Sequence, residues 1–266
     1  MQLSSNEIRR IHSLSLKKFR DEFGVFAVEG EKGVCEALAS DFTVLEAYHT
    51  LEAGSGTASC IERAFPGSEI SRAQMERITS LSSPSPALAV LRMKPMPSAA
   101  QIKTLISNKP LCLALDGIRD PGNLGTILRI ADWFGIDAVF SSPDTCELYN
   151  PKTVQASMGS IFRKKFIRCD LTVVCRDFAA AGMPVFGTFL DGEDIHSASA
   201  DGCKTATNQV AAGLIVMGSE SHGVSDAVAS LVTRRLLIPP YPADSRPTDS
   251  LNVAVATAVI CFAFRS

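Results

Sequence analysis

The sequence lacks closely spaced cysteines and any metal-ligand spacing. Its eight cysteines, at positions 35, 60, 112, 146, 169, 175, 203 and 261, nowhere lie within five residues of each other. This pattern excludes CxxC pairs and zinc knuckles. Cysteines scattered in this way are typical of buried, reduced thiols. We therefore expect a cytosolic protein with no metal site.

A long apolar run and a large excess of one charge are absent as well. The most apolar stretch, 253–264, spans about a dozen residues, whereas a membrane-spanning helix needs about 20. The first ten residues contain no apolar signal-peptide core. Because the formal net charge is −2, any nucleic-acid contact must come from a local basic patch. We expect a cytoplasmic protein with no membrane partner.

The 266 residues have an ordinary globular composition, 46% hydrophobic and 20% charged, which is enough to bury a core without disulfides. From residue 110 onward, strand and helix patterns alternate, which predicts an α/β fold with a parallel sheet covered by helices. Ligands of such sheets bind beyond the carboxyl ends of the strands. The predicted strands are 111–115, 138–140, 166–167, 185–190, 213–217 and 235–238, and the predicted helices are 123–134, 154–162 and 251–264. The loops at the expected site are 116–123, 188–195, 218–225 and 238–250. The second of these loops begins at Thr188.

Proline-punctuated segments near residue 95 indicate a domain boundary. We predict a first domain over 1–95, a linker over 96–109 and a second domain over 110–266. Residues 1–20 carry five cations and one acid, a local excess of +4, and Ser4 and Glu7 have capping-box spacing for a helix. The cations form either a solvated helix face or an arm that contacts phosphates; they are Arg9, Arg10, Lys17, Lys18 and Arg20.

Loop 116–123 is rich in turn-forming residues directly after a strand. Asn123 is a candidate cap for the following helix, whose first N–H groups would face an anion. Arg129 lies on the polar side of that helix. The glycine spacing does not match the dinucleotide fingerprint GxGxxG. Taken alone, this loop is also compatible with a simple capped helix and an exposed arginine.

Loop 218–225 offers two glycines, Gly218 and Gly223, at which backbone can approach a ligand closely. Glu220 lies at a strand end, and Ser225 is a candidate helix cap. The segment from Ser219 to Gly223 resembles the nucleophile elbow of serine hydrolases. That elbow requires a histidine later in the chain, and none follows His222, so a hydrolase is disfavoured.

Loop 238–250 is rich in proline and leads into an apolar helix. We expect Ser250 or Asp249 to cap this helix and Asn252 to lie inside it. Because an unpaired buried amide is costly, Asn252 must find a partner. Seen alone, the loop is again compatible with simple capping.

Together the three loops resemble the SpoU (TrmH) family of RNA ribose 2′-O-methyltransferases, within the SPOUT superfamily. The family motif N-x-G-x-x-x-R matches Asn123, Gly125 and Arg129. The motif G-S-E-x-x-G matches residues 218–223, and I-P followed by S-L-N-V matches Ile238, Pro239 and 250–253. The segment 150–159 resembles the family's middle region, and residues 17–31 resemble the small RNA-binding domain that precedes many members.

The resemblance implies a SPOUT-like fold with a C-terminal trefoil knot, preceded by a small α/β RNA-binding domain, and a homodimer with its active site near the dimer interface. It implies S-adenosyl-L-methionine (S-adenosylmethionine) as cofactor and RNA as substrate, with ribosomal RNA favoured over transfer RNA. The implied cofactor-binding residues are Thr188, Gly218, Ser219, Gly223, Ile238, Pro239 and Leu251, and the implied catalytic residues are Arg129, Asn123, Ser250, Asn252 and Glu220.

Two positions depart from the family pattern, because Ser221 replaces a frequent glycine and the loop 239–250 is longer than usual. These departures leave open a non-catalytic RNA-binding or ribosome-assembly factor on the same fold. A nucleotide-dependent enzyme of another class is disfavoured because no phosphate-loop motif is present.

Overall fold

The computed structural model describes residues 2–195, 212–242 and 250–265. Contacts between backbone positions divide the chain into two compact units. The first comprises Met1–Pro95 and Glu147–Arg163, and the second comprises Met96–Cys146 and Lys164–Ser266. The domain boundaries at residues 95 and 110 stay a prediction from the sequence.

The first unit contains a three-stranded antiparallel sheet in the order β1-β3-β2. The predicted Ser4–Glu7 capping box is present and begins the first helix. The basic N-terminal region forms two helices rather than one, and Gly24 ends the second with a left-handed φ of +64°, so the first strand starts at Val25. The elements are α1 (Ser5–Ser13), α2 (Lys17–Phe23), β1 (Val25–Glu29), α3 (Glu31–Leu38), β2 (Val44–His49), α4 (Ser55–Ala64), α5 (Arg72–Ile78) and β3 (Ala87–Arg92).

A later segment, 147–163, belongs to the first unit because aromatic side chains hold it there. The ring centroids of Phe26 and Tyr149 lie 4.4 Å apart, and those of Phe42 and Phe162 lie 5.4 Å apart. Within this segment the predicted helix 154–162 is two elements, since the chain turns through left-handed Met158 and Gly159. These elements are α8 (Pro151–Ser157) and a 3-10 helix (Ser160–Phe162).

The second unit contains a six-stranded sheet in the order β6-β5-β4-β8-β7-β9, and all its strand pairs are parallel. The predicted parallel α/β fold is thereby confirmed. Strand β7 runs four residues beyond its predicted end. The register of its pairing with the last strand of the sheet shifts between Thr188 and Glu193. The strands are β4 (Leu111–Asp116), β5 (Ala138–Ser141), β6 (Lys165–Arg168), β7 (Val185–Asp194), β8 (Gly213–Gly218) and β9 (Arg234–Leu237).

Helices cover both faces of this sheet. One face packs Cys112, Ala114 and Val216 against α6, α9 and α10. Helices α7 and α11 pack against each other on the opposite face, where the rings of Phe186 and Phe264 meet edge to face at 5.0 Å. The helices are α6 (Ala99–Ser107), α7 (Pro121–Trp133), α9 (Leu171–Ala180), α10 (Asp226–Ala229) and α11 (Val253–Arg265). Helix α6 occupies most of the segment predicted as a linker.

The thiols of the described residues are free. Seven cysteines of this part of the chain form no disulfide, and burial raises the pKa of Cys112, Cys175 and Cys261 to about 12. Such thiols stay protonated at neutral pH and are poor nucleophiles. No group of three or more metal-ligating side chains is found within 2–195, 212–242 and 250–265. None of the helices described there combines the length and apolar character needed to cross a membrane.

Candidate functional site

A pocket of about 480 Å³ opens at the carboxyl ends of β7, β8 and β9. This is the edge of a parallel sheet where ligands are expected. Its walls come from three of the four predicted loops and the start of α11. Most of the side chains are apolar, and the lining residues are Thr188, Phe189, Leu190, Met217, Gly218, Ser219, Glu220, Ser221, His222, Gly223, Val224, Leu236, Leu237, Ile238, Ser250, Leu251, Val253 and Ala256.

A tight turn after β8 forms one wall of the pocket. The backbones of Ser219 and Gly223 exchange two hydrogen bonds, of 3.0 and 2.9 Å, and Gly223 has a left-handed φ of +66°. A Cβ atom on Gly218 would lie 2.2 Å from the carbonyl carbon of Gly223. Only glycine fits at position 218, because any side chain would displace the turn.

A network of three polar side chains joins the turn to the starts of α7 and α11. Asn123 Nδ2 donates to Glu220 Oε1 at 2.6 Å, and Asn252 Nδ2 donates to Asn123 Oδ1 at 3.0 Å. Asn252 Nδ2 also lies 3.3 Å from the same Glu220 oxygen. Three of the predicted catalytic residues therefore meet, although they are far apart in sequence.

Neither helix begins where the sequence predicted. Helix α7 is capped by Asp120, whose Oδ1 accepts from the N–H of Asn123 at 2.9 Å; the prediction that Asn123 is the cap was wrong. Asn252 lies before α11 rather than inside it, and its Oδ1 accepts from the N–H groups of Ala254 and Val255. Asn252 thus takes the capping position predicted for Ser250 or Asp249, the latter outside the described residues. Both corrections leave the amides of Asn123 and Asn252 free to join the network.

Arg129 does not line the pocket. It is exposed on α7 and forms no hydrogen bond or ion pair with the described residues. Helices α7 and α11 run parallel, because Asn123 meets Asn252 at their starts and Arg265 donates to the carbonyl of Phe134 at their ends. Arg129 is therefore an exposed cation of this helix pair that has no partner within 2–195, 212–242 and 250–265.

Most residues predicted to bind the cofactor do line the pocket. Thr188, Gly218, Ser219, Gly223, Ile238 and Leu251 are among its walls, as are Ser250 and Glu220, whereas Pro239 is not. The sequence reasoning missed several lining residues: Phe189, Leu190, Leu236, Val253, Ala256 and His222. The mostly apolar run 185–190, which was predicted as a strand, was the signal for the first two.

The pocket fits the adenosyl part of S-adenosylmethionine. Its volume is within the range of about 300–1,000 Å³ for small-molecule sites, and apolar walls with exposed backbone suit an adenine ring. Leu236, Ile238 and Leu251 supply the apolar surface, and the strand ends supply backbone donors and acceptors. On the turn after β8, Gly218, Ser219 and Gly223 would hold the polar end of such a molecule.

The five N-terminal cations differ in their exposure to solvent and in their ion pairs. Arg9 and Lys18 are exposed, Arg10 pairs with both oxygens of Glu46 at 2.7 Å, and Lys17 pairs with Asp21. Arg20 is only 2% exposed and pairs with Glu147 inside the first unit. A guanidinium held there cannot reach RNA, so the prediction that Arg20 contacts RNA is corrected.

These features define a parallel α/β protein with a small-molecule pocket at the strand ends and a further compact unit built mainly from the first 95 residues. The chain belongs to the SpoU rRNA methylase family, whose model matches residues 110–262, and the resemblance seen in the sequence is thereby confirmed. Residues 5–89 match the MRM3-like substrate binding domain.

Relatives with known names and structures agree with this assignment. The chain is 29% identical over 261 residues, 98% of its length and 96% of the relative's, to the 23S rRNA guanosine 2′-O-methyltransferase RlmP of Bacillus subtilis. A TrmH-family structure from Porphyromonas gingivalis has a TM-score of 0.80 at 33% identity, covering 100% of this chain and 99% of that one. An AdoMet-bound rRNA methyltransferase from Sinorhizobium meliloti has a TM-score of 0.81 at 27% identity, covering 100% and 96%.

Proposed function

We propose that this protein transfers a methyl group from S-adenosylmethionine to a ribose 2′-hydroxyl of RNA, with ribosomal RNA as the first choice and transfer RNA as the second. The observation that carries the proposal is the apolar pocket at the strand ends in a chain of the SpoU rRNA methylase family. The rRNA methyltransferase relatives support ribosomal RNA. A 2′-hydroxyl acceptor makes the enzyme selective for RNA over DNA.

The cofactor supplies an activated methyl group on a sulfonium, so the protein's tasks are alignment and activation of a weak nucleophile. Leu236, Ile238 and Leu251 hold the adenine. The Asn123–Glu220–Asn252 network holds the turn after β8 against the starts of α7 and α11. This network therefore fixes the side of the pocket at which the ribose must arrive.

Arg129 binds the RNA rather than taking up a proton. A guanidinium stays protonated in proteins and binds phosphate oxygens in a forked geometry. Its exposed position, with no partner in the part of the chain that the structure describes, suits a phosphate clamp that orients the ribose. The same charge stabilises an alkoxide that develops on the 2′-oxygen.

The protein works as a homodimer through the outer face of α7 and α11. Trp133 is 85% exposed and Phe262 is 62% exposed, with Val255 and Val259 exposed on the same helix as Phe262. Exposed large apolar side chains on two packed helices are typical of a protein interface. Arg129 lies one helical turn before Trp133, so a second copy on this face would bring Arg129 close to the interface.

The protein carries a C-terminal knot, acts in the cytoplasm and binds RNA through its N-terminal cations. The family resemblance supports the C-terminal trefoil knot, and the reduced thiols of the described residues support a cytoplasmic location. Contact with RNA falls to the exposed N-terminal cations, Arg9 and Lys18 before Arg10 and Lys17, since the latter two are paired within the protein.

A transfer assay tests the proposed function. Purified protein is incubated with methyl-labelled S-adenosylmethionine and ribosomal RNA, transfer RNA or DNA of matched sequence. We expect label in ribosomal RNA and none in DNA, and a strong loss with Arg129→Ala. Arg176→Ala, an exposed arginine on α9, is the matched control and keeps full activity. Cofactor binding by calorimetry without transfer to any RNA would instead favour the non-catalytic factor.

A further inference from the structure

We propose that His222 accepts the proton of the ribose 2′-hydroxyl during methyl transfer. This inference rests on the proposed function and names a residue for its unassigned proton-transfer step. Among the described residues that line the pocket, the titratable side chains are Glu220 and His222, both on the turn after β8. The lining residues from β7, β9 and the start of α11 carry no titratable side chain.

The turn holds His222 in a defined place. Ser219 Oγ accepts from the N–H of His222 at 3.2 Å, and the Ser219–Gly223 backbone pair closes the turn around it. The imidazole is exposed at the pocket wall rather than buried in the core. A substrate entering the pocket can therefore reach the ring.

The contact with Ser221 is compatible with the tautomer in which His222 can take a proton, because a serine hydroxyl can accept a hydrogen bond as well as donate one. Ser221 Oγ lies 2.8 Å from His222 Nδ1. When Nδ1 carries the hydrogen and donates it to Ser221, the lone pair of Nε2 is free. We propose this tautomer for His222, with Nδ1 as the donor to Ser221 and Nε2 as the proton acceptor. In this proposal Ser221 is a positioning residue for the His222 ring.

The step balances without any further reactant. The 2′-oxygen forms a bond to the methyl carbon while the bond from that carbon to sulfur breaks, and its electron pair stays on sulfur. The hydroxyl proton moves to His222 Nε2, giving an imidazolium that returns the proton to water after product release. Histidine suits this role because the neutral ring has a nitrogen lone pair that can accept a proton.

The neighbouring charged groups are less suited to the task. Glu220 Oε1 already accepts from the amides of Asn123 and Asn252, at 2.6 and 3.3 Å. Arg129 is a permanent cation outside the pocket lining. In the described pocket lining, His222 is the titratable residue whose ring nitrogen Nε2 has no hydrogen-bond partner among the described residues.

Kinetics on His222→Gln, with Ser230→Ala as control, test the proposal. Glutamine keeps polarity but cannot accept the proton, so we expect kcat to fall about 100-fold or more, in line with general-base catalysis. The affinity for S-adenosylmethionine, measured by calorimetry, should stay within about twofold. The acidic limb of the wild-type pH–kcat profile should disappear in this variant. Ser221→Ala should lower kcat less and leave KM unchanged, whereas the control, exposed at the end of α10, keeps the wild-type rate.

Imidazole ¹⁵N NMR gives a readout that does not depend on turnover. The chain has four histidines, and the resonance lost in His222→Gln identifies the ring. We expect the Nδ1–H tautomer in the wild type and a mixture in Ser221→Ala. An Nε2–H tautomer in the wild type would overturn the proposal even if the variants fold poorly.

The outcomes separate this inference from the proposed function. If the wild type methylates no RNA, the proposed function fails. If the wild type is active and His222→Gln matches its kcat and pH profile, the proton-acceptor role is wrong while the function stands. A variant that loses only cofactor affinity would assign His222 to binding and equally refute the proposed step.

Discussion

Asn252 has two separable tasks, and a pair of substitutions should distinguish them. Its Oδ1 accepts from the N–H groups of Ala254 and Val255 at 3.0 and 3.3 Å, which caps α11. Its Nδ2 donates to Asn123 and Glu220, which joins the helix to the pocket wall. Alanine removes both tasks, whereas serine caps a helix about as well as asparagine but is too short for the network.

Loss of a cap costs about 1 kcal/mol, within a range of about 0.5–2. For a unit of this size that corresponds to a fall in Tm of about 2–4 °C. We therefore expect Asn252→Ala to melt about 2–4 °C below Asn252→Ser in a circular dichroism scan. Both should lose methyl transfer to a similar extent, about 10- to 100-fold, because a misplaced pocket wall is costly for alignment.

The comparison has two ways of contradicting this account. Equal Tm values for the alanine and serine variants would show that the Oδ1 contacts do not stabilise the start of α11. Wild-type transfer rates in both variants would show that the network does not position the reacting groups. The double variant with Asn123→Ala should be no worse than either single one, since the two amides act as one unit.

Three further predictions follow from other contacts. Gly218→Ala places a Cβ 2.2 Å from the backbone of Gly223, so calorimetry should show at least a tenfold loss of cofactor affinity. Unchanged binding would refute the placement of the cofactor against the turn after β8. Phe262→Asp should shift the sedimentation coefficient from that of a dimer to that of a monomer. The control Val173→Asp, on a residue of α9 that is 49% exposed, should stay a dimer. If both variants are dimers, the interface lies elsewhere. The hydrogen bond from His49 lowers the pKa of Glu62 to about 2 from 4.5. Glu62 therefore contributes stability above about pH 4.5 that is lost as the pH falls toward 2, and Glu62→Gln should flatten this part of the acid-unfolding curve.

The alternation of elements in the second unit could be predicted because its signals are local. Buried parallel strands are continuous apolar runs, and the helices between them keep helical spacing. The Ser4–Glu7 capping box is equally local and is present. The observed strand ends differ by a few residues from the predicted ones where a strand continues to pair with its neighbour. Strand β7, for example, pairs with β9 beyond Leu190.

The starts of α7 and α11 were misplaced because several residues in each loop are able to cap. Asp120 and Asn123 both suit a cap, and Pro121 at the first helical position was the signal that favours Asp120. At α11, Asn252 was placed inside the helix because the apolar pattern begins at Leu251. Only the contacts of each side chain decide which of the candidates serves.

The polar network and the burial of Arg20 could not be predicted from local patterns. Asn123 and Asn252 are 129 residues apart, and Asn123 and Glu220 are 97 apart. Arg20 belongs to a basic run, and its partner Glu147 lies in a distant segment. Local periodicity has no information about such pairings, which arise only when the sheet brings the segments together.

The central claim is the transfer of a methyl group to a ribose oxygen of RNA, and nucleoside mass spectrometry tests it most directly. Ribosomal RNA methylated by the purified protein is digested to nucleosides, with RNA treated by the Arg129→Ala variant as control. This account predicts a single new nucleoside carrying a 2′-O-methyl group, whose neighbouring phosphodiester resists alkali in the undigested RNA. A methyl group on a base, or no new nucleoside in any RNA, would contradict it.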